Sequence, residues 1–309
     1  MDPLSGVLEL LKPRHSFFGG FDAAGAWSIR FPRYDAIRCY AIAAGSCWLA
    51  AEGVAEPVRL DAGDCVLLPD GRPNVMASDL GLEPVDFKAA FPTPTDGRVK
   101  YLNGGGEVRG VGGFIELAAG SAGLLLGELP PVVHVREDSD RSALRWAVDR
   151  LALEMHEPRP GGAAAIQHLA HLLLVHALRA HLADGPRGDV GWFSALADPA
   201  LAAAIGAMHD DPAHPWTLPE LAGRAGMSRS TFALRFREAV GSSPIDYLTR
   251  WRMLLAGDRL ADTDDSIAAI ARSLGYESES AFGAAFKRVM GCSPRRHGRG
   301  RAAAPSPAP

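Results

Sequence analysis

Cysteine is scarce: the 309 residues contain four, Cys39, Cys47, Cys65 and Cys292. They have no pairwise metal-ligand spacing, so reduced thiols in a cytoplasm are the default expectation. Long apolar runs are lacking as well. Nothing approaches the ~20 apolar residues of a membrane helix, and residues 1–20 lack a basic region followed by an apolar core. Neither a membrane span nor an export signal is expected. Neither sign of charge dominates, the formal net charge being −4. What the chain does have is hydrophobic content, 47% of its residues, ample for about two cores.

The charge is unevenly spread. Between 216 and 301 there are 14 Arg or Lys against 9 Asp or Glu, a net +5, and the remainder carries 18 against 27, a net −9. A basic module joined to an acidic one is the electrostatic footprint of a phosphate-binding part on a non-binding part. The basic stretch also holds the same pattern twice. Phe232 and Phe236 recur as Phe282 and Phe286, Arg237 as Lys287, Gly241 as Gly291, and Ser243-Pro244 as Ser293-Pro294, each at an offset of 50 residues. Upstream the offset is 49, since Leu221-Ala222 matches Ile270-Ala271 and Gly226 matches Gly275. One extra residue therefore sits in the second turn. A repeat of this period is the signature of a duplicated supersecondary unit.

Each copy reads as two short helices joined by a tight turn. Thr217-Leu218-Pro219-Glu220 is a capping box, Leu221, Ala222 and Ala225 give the following helix an apolar face, and Gly226 ends it. Ser228 then caps a second helix. In the second copy Ser266 or Asp265 opens the first helix, Gly275 breaks it, and Ser278 caps the next. This is a helix-turn-helix, whose second helix can lie in a DNA major groove. At 100° per residue Phe232 and Phe236 point inward, leaving Ser230, Ala233, Leu234 and Arg237 outward, and the equivalent outward set is Ser280, Gly283, Ala284 and Lys287. The blander reading makes these ordinary solvent-facing positions, and the local excess of positive charge argues against it.

The run from Ser228 to Pro244, with Tyr247-Leu248, Arg250-Trp251-Arg252-Met253, Ile270-Ala271, Gly275-Tyr276, Ser280, Phe282, Phe286-Lys287 and Gly291-Cys292-Ser293-Pro294, closely resembles the DNA-binding domain of AraC/XylS-type transcription regulators. About 100 residues match. The resemblance implies two helix-turn-helix units held by a long linker helix over about 244–261, each offering one recognition helix to successive major grooves. Two departures stand out. Many members carry Arg or another long polar residue where this chain has Leu234 and Ala284, and an aromatic-Arg pair where it has His297-Gly298. An Arg–guanine pair supplies roughly 1–3 kcal/mol of discrimination. Without it, base readout falls to Ser230, Ser280, apolar contact with thymine methyls, and Arg229 or Arg235. Arg237, Lys287, Arg288 and the helix-cap serines Ser228 and Ser278 are expected mainly to hold phosphates, and Thr231 is a further DNA-binding candidate.

From about 27 to 135 the sequence breaks into strand-length apolar segments separated by Gly, Pro and Asp: 27–31, 37–43, 46–50, 58–60, 65–68 and 85–90. Many short strands with such turns suggest a sandwich or barrel. Gly63-Asp64-Cys65-Val66-Leu67-Leu68-Pro69-Asp70-Gly71 has the Gly-x5-Pro-x-Gly spacing of a cupin's second motif. Residues 2–182 resemble the cupin-type sensor domain of one AraC/XylS branch, on Asp2-Pro3-Leu4-Ser5 and Cys39-Tyr40 through Gly45-Ser46-Cys47-Trp48-Leu49. Cupin enzymes hold a metal with a His-x-His pair and a later His. Here 45–48 contain no histidine, and Asn74 stands where the second motif would place one. No metal, cofactor or catalytic residue is expected. Trp27, Arg30, Tyr40, Trp48 and Asn74 are the candidates for holding an effector, against the alternative that the aromatics are core. Cys39, Cys47 and Cys65 could form a redox sensor, although cysteines on strands more often act as buried small hydrophobes.

After Pro130-Pro131 the period becomes helical. Asp140 or Ser142 caps a helix to about 156 with Leu144, Ala147, Val148, Leu151 and Met155 on one face, and a second helix runs over about 163–183. His168, His171, His176 and His181 on that helix fall at about 300°, 80° and 220° from the first, so the four cannot converge on a metal. A helix pair packed on the barrel and on a partner subunit, with Leu169, Leu172 and Leu173 as the seam, is preferred. The expected architecture is α+β and multidomain: a cupin-like β-barrel with flanking helices over 1–183, a linker over 184–194, an all-α domain of two helix-turn-helix units over 195–297, its first helix at about 198–209, and a disordered tail over 298–309. The expected function is that of a cytoplasmic, non-enzymatic, sequence-specific transcription regulator. It would bind double-stranded DNA, take a small-molecule effector in the cupin-like domain, form a homodimer, and meet RNA polymerase if it activates. A metal-dependent cupin enzyme and a constitutive DNA-binding protein with a purely structural N-terminal half are the rival readings.

Overall fold

The computed structural model describes residues 2–11, 13–91, 99–117, 129–136, 142–157, 159–183 and 190–299. These form two compact units, one built on the described residues between 13 and 183, the other on 2–11 and 190–299.

In the first unit the strands are β1 (Pro13–Ala23), β2 (Ser28–Phe31), β3 (Ile37–Ala44), β4 (Ser46–Ala51), β5 (Val58–Asp61), β6 (Cys65–Leu68), β7 (Asn74–Ala77), β8 (Val85–Asp86), β9 (Lys100–Leu102), β10 (Val108–Leu117) and β11 (Val133–Val135). They make two sheets, ordered β11-β6-β3-β10-β1-β9 and β5-β4-β7-β2-β8. The expected closed barrel is thus, among the described residues, a pair of open sheets. Three of the four edge strands, β8, β9 and β11, are two or three residues long, too short to carry a ladder from one sheet to the other. Side-chain alternation fills the space between them. On β4, Cys47, Leu49 and Ala51 are buried and join Ile29, Ile42, Leu60, Leu68 and Met76 in one core, while Trp48 faces the other way, half-buried.

The two long strands β1 and β10 lie outside the strand segments expected from the sequence. β10 contains Gly110, Gly112 and Gly113, which read as turn residues but are needed in the sheet. A Cβ on Gly113 would stand 2.1 Å from the Phe17 carbonyl oxygen, and one on Gly110 2.6 Å from that of Ala41. The segment 85–90 is only in part a strand. Asp86 accepts a hydrogen bond from the Lys88 N–H and starts the short helix α2 (Phe87–Ala90). Gly71, which closes the cupin-like motif, has φ +59°, and a side chain there would collide with the Tyr34 carbonyl oxygen at 1.8 Å.

Helices α3 (Ser142–His156) and α4 (Gly162–Ala183) pack on each other and on the larger sheet. Leu144, Ala147, Val148, Leu151 and Met155 are all buried, as their shared face predicts. On α4 Leu169 and Leu173 are buried but Leu172 is 36% exposed.

The second unit is helical: α1 (Pro3–Leu11), α5 (Trp192–Ala195), α6 (Pro199–Asp210), α7 (Leu218–Arg224), α8 (Arg229–Val240), α9 (Pro244–Asp262), α10 (Ile267–Ser273), α11 (Glu279–Met290) and α12 (Pro294–Arg299). The sequence groups residues 2–11 with the strands; here α1 packs instead on α6 and α9, with Leu4, Val7 and Leu10 buried. Part of the expected linker also belongs to this unit. Trp192 and Phe193 are buried, and the Gly191 N–H donates to the Ala239 carbonyl. Residues 184–189 lie outside the described residues. Of the expected tail, Gly298 and Arg299 lie in α12, and 300–309 fall outside the description.

Candidate nucleic-acid interface and ligand cavity

The two helix-turn-helix units are α7–α8 and α10–α11, and α9 touches both. Both begin as the sequence predicts. Thr217 and Glu220 form a complete capping box on α7, and Ser266 caps α10. The turns pass through Gly226 at φ +64° and Gly275 at φ +79°, left-handed conformations that end the first helices. Ser228 and Ser278 then cap α8 and α11, accepting from the N–H groups of Thr231 and Ala281.

What aims these helices is the pair of phenylalanines on each. Phe232, Phe236, Phe282 and Phe286 are fully buried, each worth about 1.5–3 kcal/mol of transfer energy. Phe236 meets Tyr247 of α9 edge-on at 5.7 Å, and Phe282 and Phe286 pack with Met253 and Ala256 of the same helix. With those rings inward, Ser230, Thr231, Leu234 and Arg237 are exposed on α8, and Ser280, Ala284, Lys287 and Arg288 on α11, while Ala233 and Gly283 lie half-buried beside them. Arg229 and Ser228 at the head of α8 and Ser278 at the head of α11 are also exposed. Leu234 is 59% exposed, so its side chain is free to meet a partner on that face. Arg229, Arg237, Lys287 and Arg288 form no ion pair among the described residues. Arg235 differs: its Nη2 donates to Asp198 Oδ2 at 2.6 Å, tying α8 to the start of α6.

Below this surface, His209 of α6 stacks on Trp251 at 3.7 Å between centroids, with its Nε2 2.8 Å from the Tyr247 hydroxyl. Burial pushes its pKa down to about 3, and nearby Asp210 opposes the shift too weakly to restore it. Arg252 of α9 holds the segment after α6, its Nε donating to the Pro212 carbonyl and its Nη2 to that of His214.

In the first unit a cavity of about 290 Å³ opens between the two sheets. Its walls are the aromatic rings of Phe17, Phe21, Trp27, Phe31, Tyr34, Tyr40, Phe87, Phe91 and Phe114, with Ile29, Met76 and Leu102 between them. Arg38, Lys88 and Lys100 are the charged groups that line it. Gly112 and Gly113 form part of the wall, and a Cβ on Gly112 would come within 2.8 Å of the Tyr40 ring. Of the five effector candidates, Trp27 and Tyr40 line the cavity. Asn74 is buried behind Tyr40 and accepts its hydroxyl proton at 2.9 Å. Arg30 is exposed on β2, and neither it nor Trp48 lines the cavity. Arg38 and most of the phenylalanines carry no sequence signal of their own; only the inward phase of β1, β3 and β10 would have found them.

The residues present do not suit a cupin metal. Asn74 spends its carbonyl on Tyr40 and its amide on the Arg72 carbonyl, and among the described residues no three His, Cys, Asp or Glu side chains converge. His168 and His171 stand 6.5 Å apart, edge to face. The thiols of Cys39 and Cys65 lie 3.8 Å apart on paired strands, both fully buried, and their mutual hydrogen bond and burial raise the Cys39 pKa. Burial raises that of Cys47 to about 12. The raised pKa values of Cys39 and Cys47 hold both in the thiol form, which reacts slowly with oxidants. Among the described residues no helix is long and apolar enough to cross a membrane.

Two family profiles match: Cupin over residues 2–183 and Helix-turn-helix domain over 221–299. A putative AraC-like transcription regulator of Streptomyces antibioticus is 42% identical over 302 residues, covering 96% of this chain and 99% of the relative. The chain belongs to the AraC-like transcription regulators. A second such regulator, from Streptomyces lividans, is 41% identical with the same coverage, and the HTH-type transcriptional regulator AlkR of Acinetobacter baylyi is 29% identical over 309 residues, 96% of this chain and 99% of the relative. In this AraC-like regulator the cupin match covers the strand unit together with α1, and the helix-turn-helix match lies within the helical unit.

Proposed function

We propose that this AraC-like regulator inserts α8 and α11 into successive major grooves of one DNA site and is controlled by a small molecule bound between its two sheets. The observation that carries the reading is the repeated surface. Two helices, each anchored by two buried phenylalanines, present a capping serine, small side chains and a cation at matching positions. Arg237, Lys287 and Arg288, with the helix heads at Ser228 and Ser278, hold phosphates, and Arg229 is the cation left for base contact because Arg235 is tied to Asp198. Ser230, Thr231, Ala233 and Leu234 on one helix and Ser280, Gly283 and Ala284 on the other face the bases. Short side chains let a helix approach the groove floor closely, so methyl contacts and DNA shape carry much of the specificity.

The cavity is the seat of control, and its apolar walls with a few polar groups fit a binding pocket better than a reaction centre. An effector shifts the regulator only by binding two conformations unequally, so it must alter how domains or protomers are arranged. The protein works in the cytoplasm as a homodimer without enzymatic activity, and contacts RNA polymerase where it activates. Genome-wide mapping of bound sites tests the reading: a shared sequence motif upstream of genes supports it, and occupancy without any common motif overturns sequence-specific regulation.

A further inference from the structure

The cavity of the strand unit contains a charge with no counter-ion among the described residues. Arg38 points from β3 into it and is 8% exposed. Its Nη1 donates to the Tyr40 hydroxyl at 3.2 Å and its Nη2 to the Pro32 carbonyl at 3.0 Å, both neutral acceptors. The Nε is buried with no hydrogen-bond partner among the described residues. No Asp or Glu lines the cavity among the described residues. The Phe31 ring lies 5.3 Å below the guanidinium and offsets part of the desolvation. A buried lysine could shed its proton, but arginine keeps its charge, so the shortfall persists. Fully buried charges are normally paired, and one left unpaired marks a place where a partner is to be supplied.

We infer that the ligand of this cavity is a monocarboxylate with an apolar, aromatic body, its carboxylate resting on Arg38. The inference builds on the proposal that the cavity takes an effector, and adds the effector's chemistry. The Nη hydrogens that Tyr40 and Pro32 leave unused can meet the two oxygens of a carboxylate, and the buried Nε–H keeps the guanidinium short of acceptors. Lys88 and Lys100, also lining the cavity, add positive potential and favour an anion over a neutral molecule of the same shape. The rest of the wall is rings, suited to stacking against an aromatic body. At about 290 Å³ the space is roughly twice a cavity of ~150 Å³ that holds benzene, which fits one ring with a short chain. A sugar would leave its hydroxyls facing these rings unpaired.

Isothermal titration calorimetry on the full chain tests this with 3-phenylpropionate and 4-phenylbutyrate, each beside the alcohol of the same skeleton. The acid is expected to bind at least about tenfold more tightly than its alcohol, the margin of one charge-assisted contact. Arg38→Gln should remove most of that preference, leaving only the part that Lys88 and Lys100 supply, and leave the alcohol's affinity within about twofold, whereas Arg30→Gln, on β2 outside the cavity, should leave the preference intact. Equal affinity for acid and alcohol in the unmodified protein overturns the inference, as does a preference that Arg38→Gln leaves undiminished. Should Arg38→Gln fail to fold, the acid-alcohol comparison in the unmodified protein decides alone. Indole and naphthalene, tested by thermal shift, separate the two levels. If they bind and the acids do not, the carboxylate assignment fails and the effector cavity stands; if nothing binds, both fail.

Discussion

Acidification should destabilise the DNA-binding unit through one side chain. His209 is sandwiched between α9 and α1: it stacks on Trp251, and a Cβ at Gly6 of α1 would lie 3.7 Å from its Nδ1. In the folded unit its pKa is about 3, against about 6.5 in the unfolded chain. Between those values the unfolded chain binds a proton that the folded one refuses. The stabilisation from keeping the ring neutral is therefore complete above pH 6.5 and is lost as pH falls toward 3. Linkage puts the loss at about 2 kcal/mol by pH 5, a large fraction of a typical domain's 5–15 kcal/mol. Urea unfolding at pH 7 and pH 5, at fixed ionic strength and followed by tryptophan fluorescence, measures it. His209→Gln is expected to be less stable at pH 7 but to lose about 2 kcal/mol less on acidification than the unmodified protein. If variant and parent lose the same stability between the two pH values, the burial of a neutral His209 is not what ties this unit together.

Other substitutions separate anchoring, phosphate contact and base contact. Phe286→Ala should cost about 3–5 kcal/mol and unfold the second helix-turn-helix unit first, which thermal melting followed by circular dichroism would detect as a lowered or split transition. Arg237→Ala should weaken binding to every sequence and flatten the plot of log affinity against log salt by about 0.9, the contribution of one phosphate, measured by fluorescence anisotropy; altered base preference with an unchanged slope would move Arg237 to the bases. Leu234→Ala should leave stability within about 0.5 kcal/mol, since the side chain is exposed, and should relax the preference at one base pair in a selection from random duplexes.

The helical half is largely legible in sequence because its signals are local. Caps at Thr217, Ser228, Ser266 and Ser278, glycines at the turns and paired phenylalanines at i and i+4 each act within a few residues, and the structure has a helix end or a buried ring at every one. The strand half is less legible because its determinants are distant in sequence. Gly113 belongs in a strand only because the Phe17 carbonyl crosses beside it, and Arg38 matters only because β3 faces a cavity lined also from β1, β2 and β10. The packing of α1 on α6 and α9 is invisible from its sequence, since an apolar helical stripe of Leu4, Val7 and Leu10 does not say which core it joins.

The central claim is that α8 and α11 engage one DNA site together. Hydroxyl-radical footprinting on a duplex selected from a random library measures this directly. Two protected tracts on one face of the duplex, about one helical turn (~10 bp) apart, are the expected result. A single tract, or a selection that enriches no sequence, would contradict it.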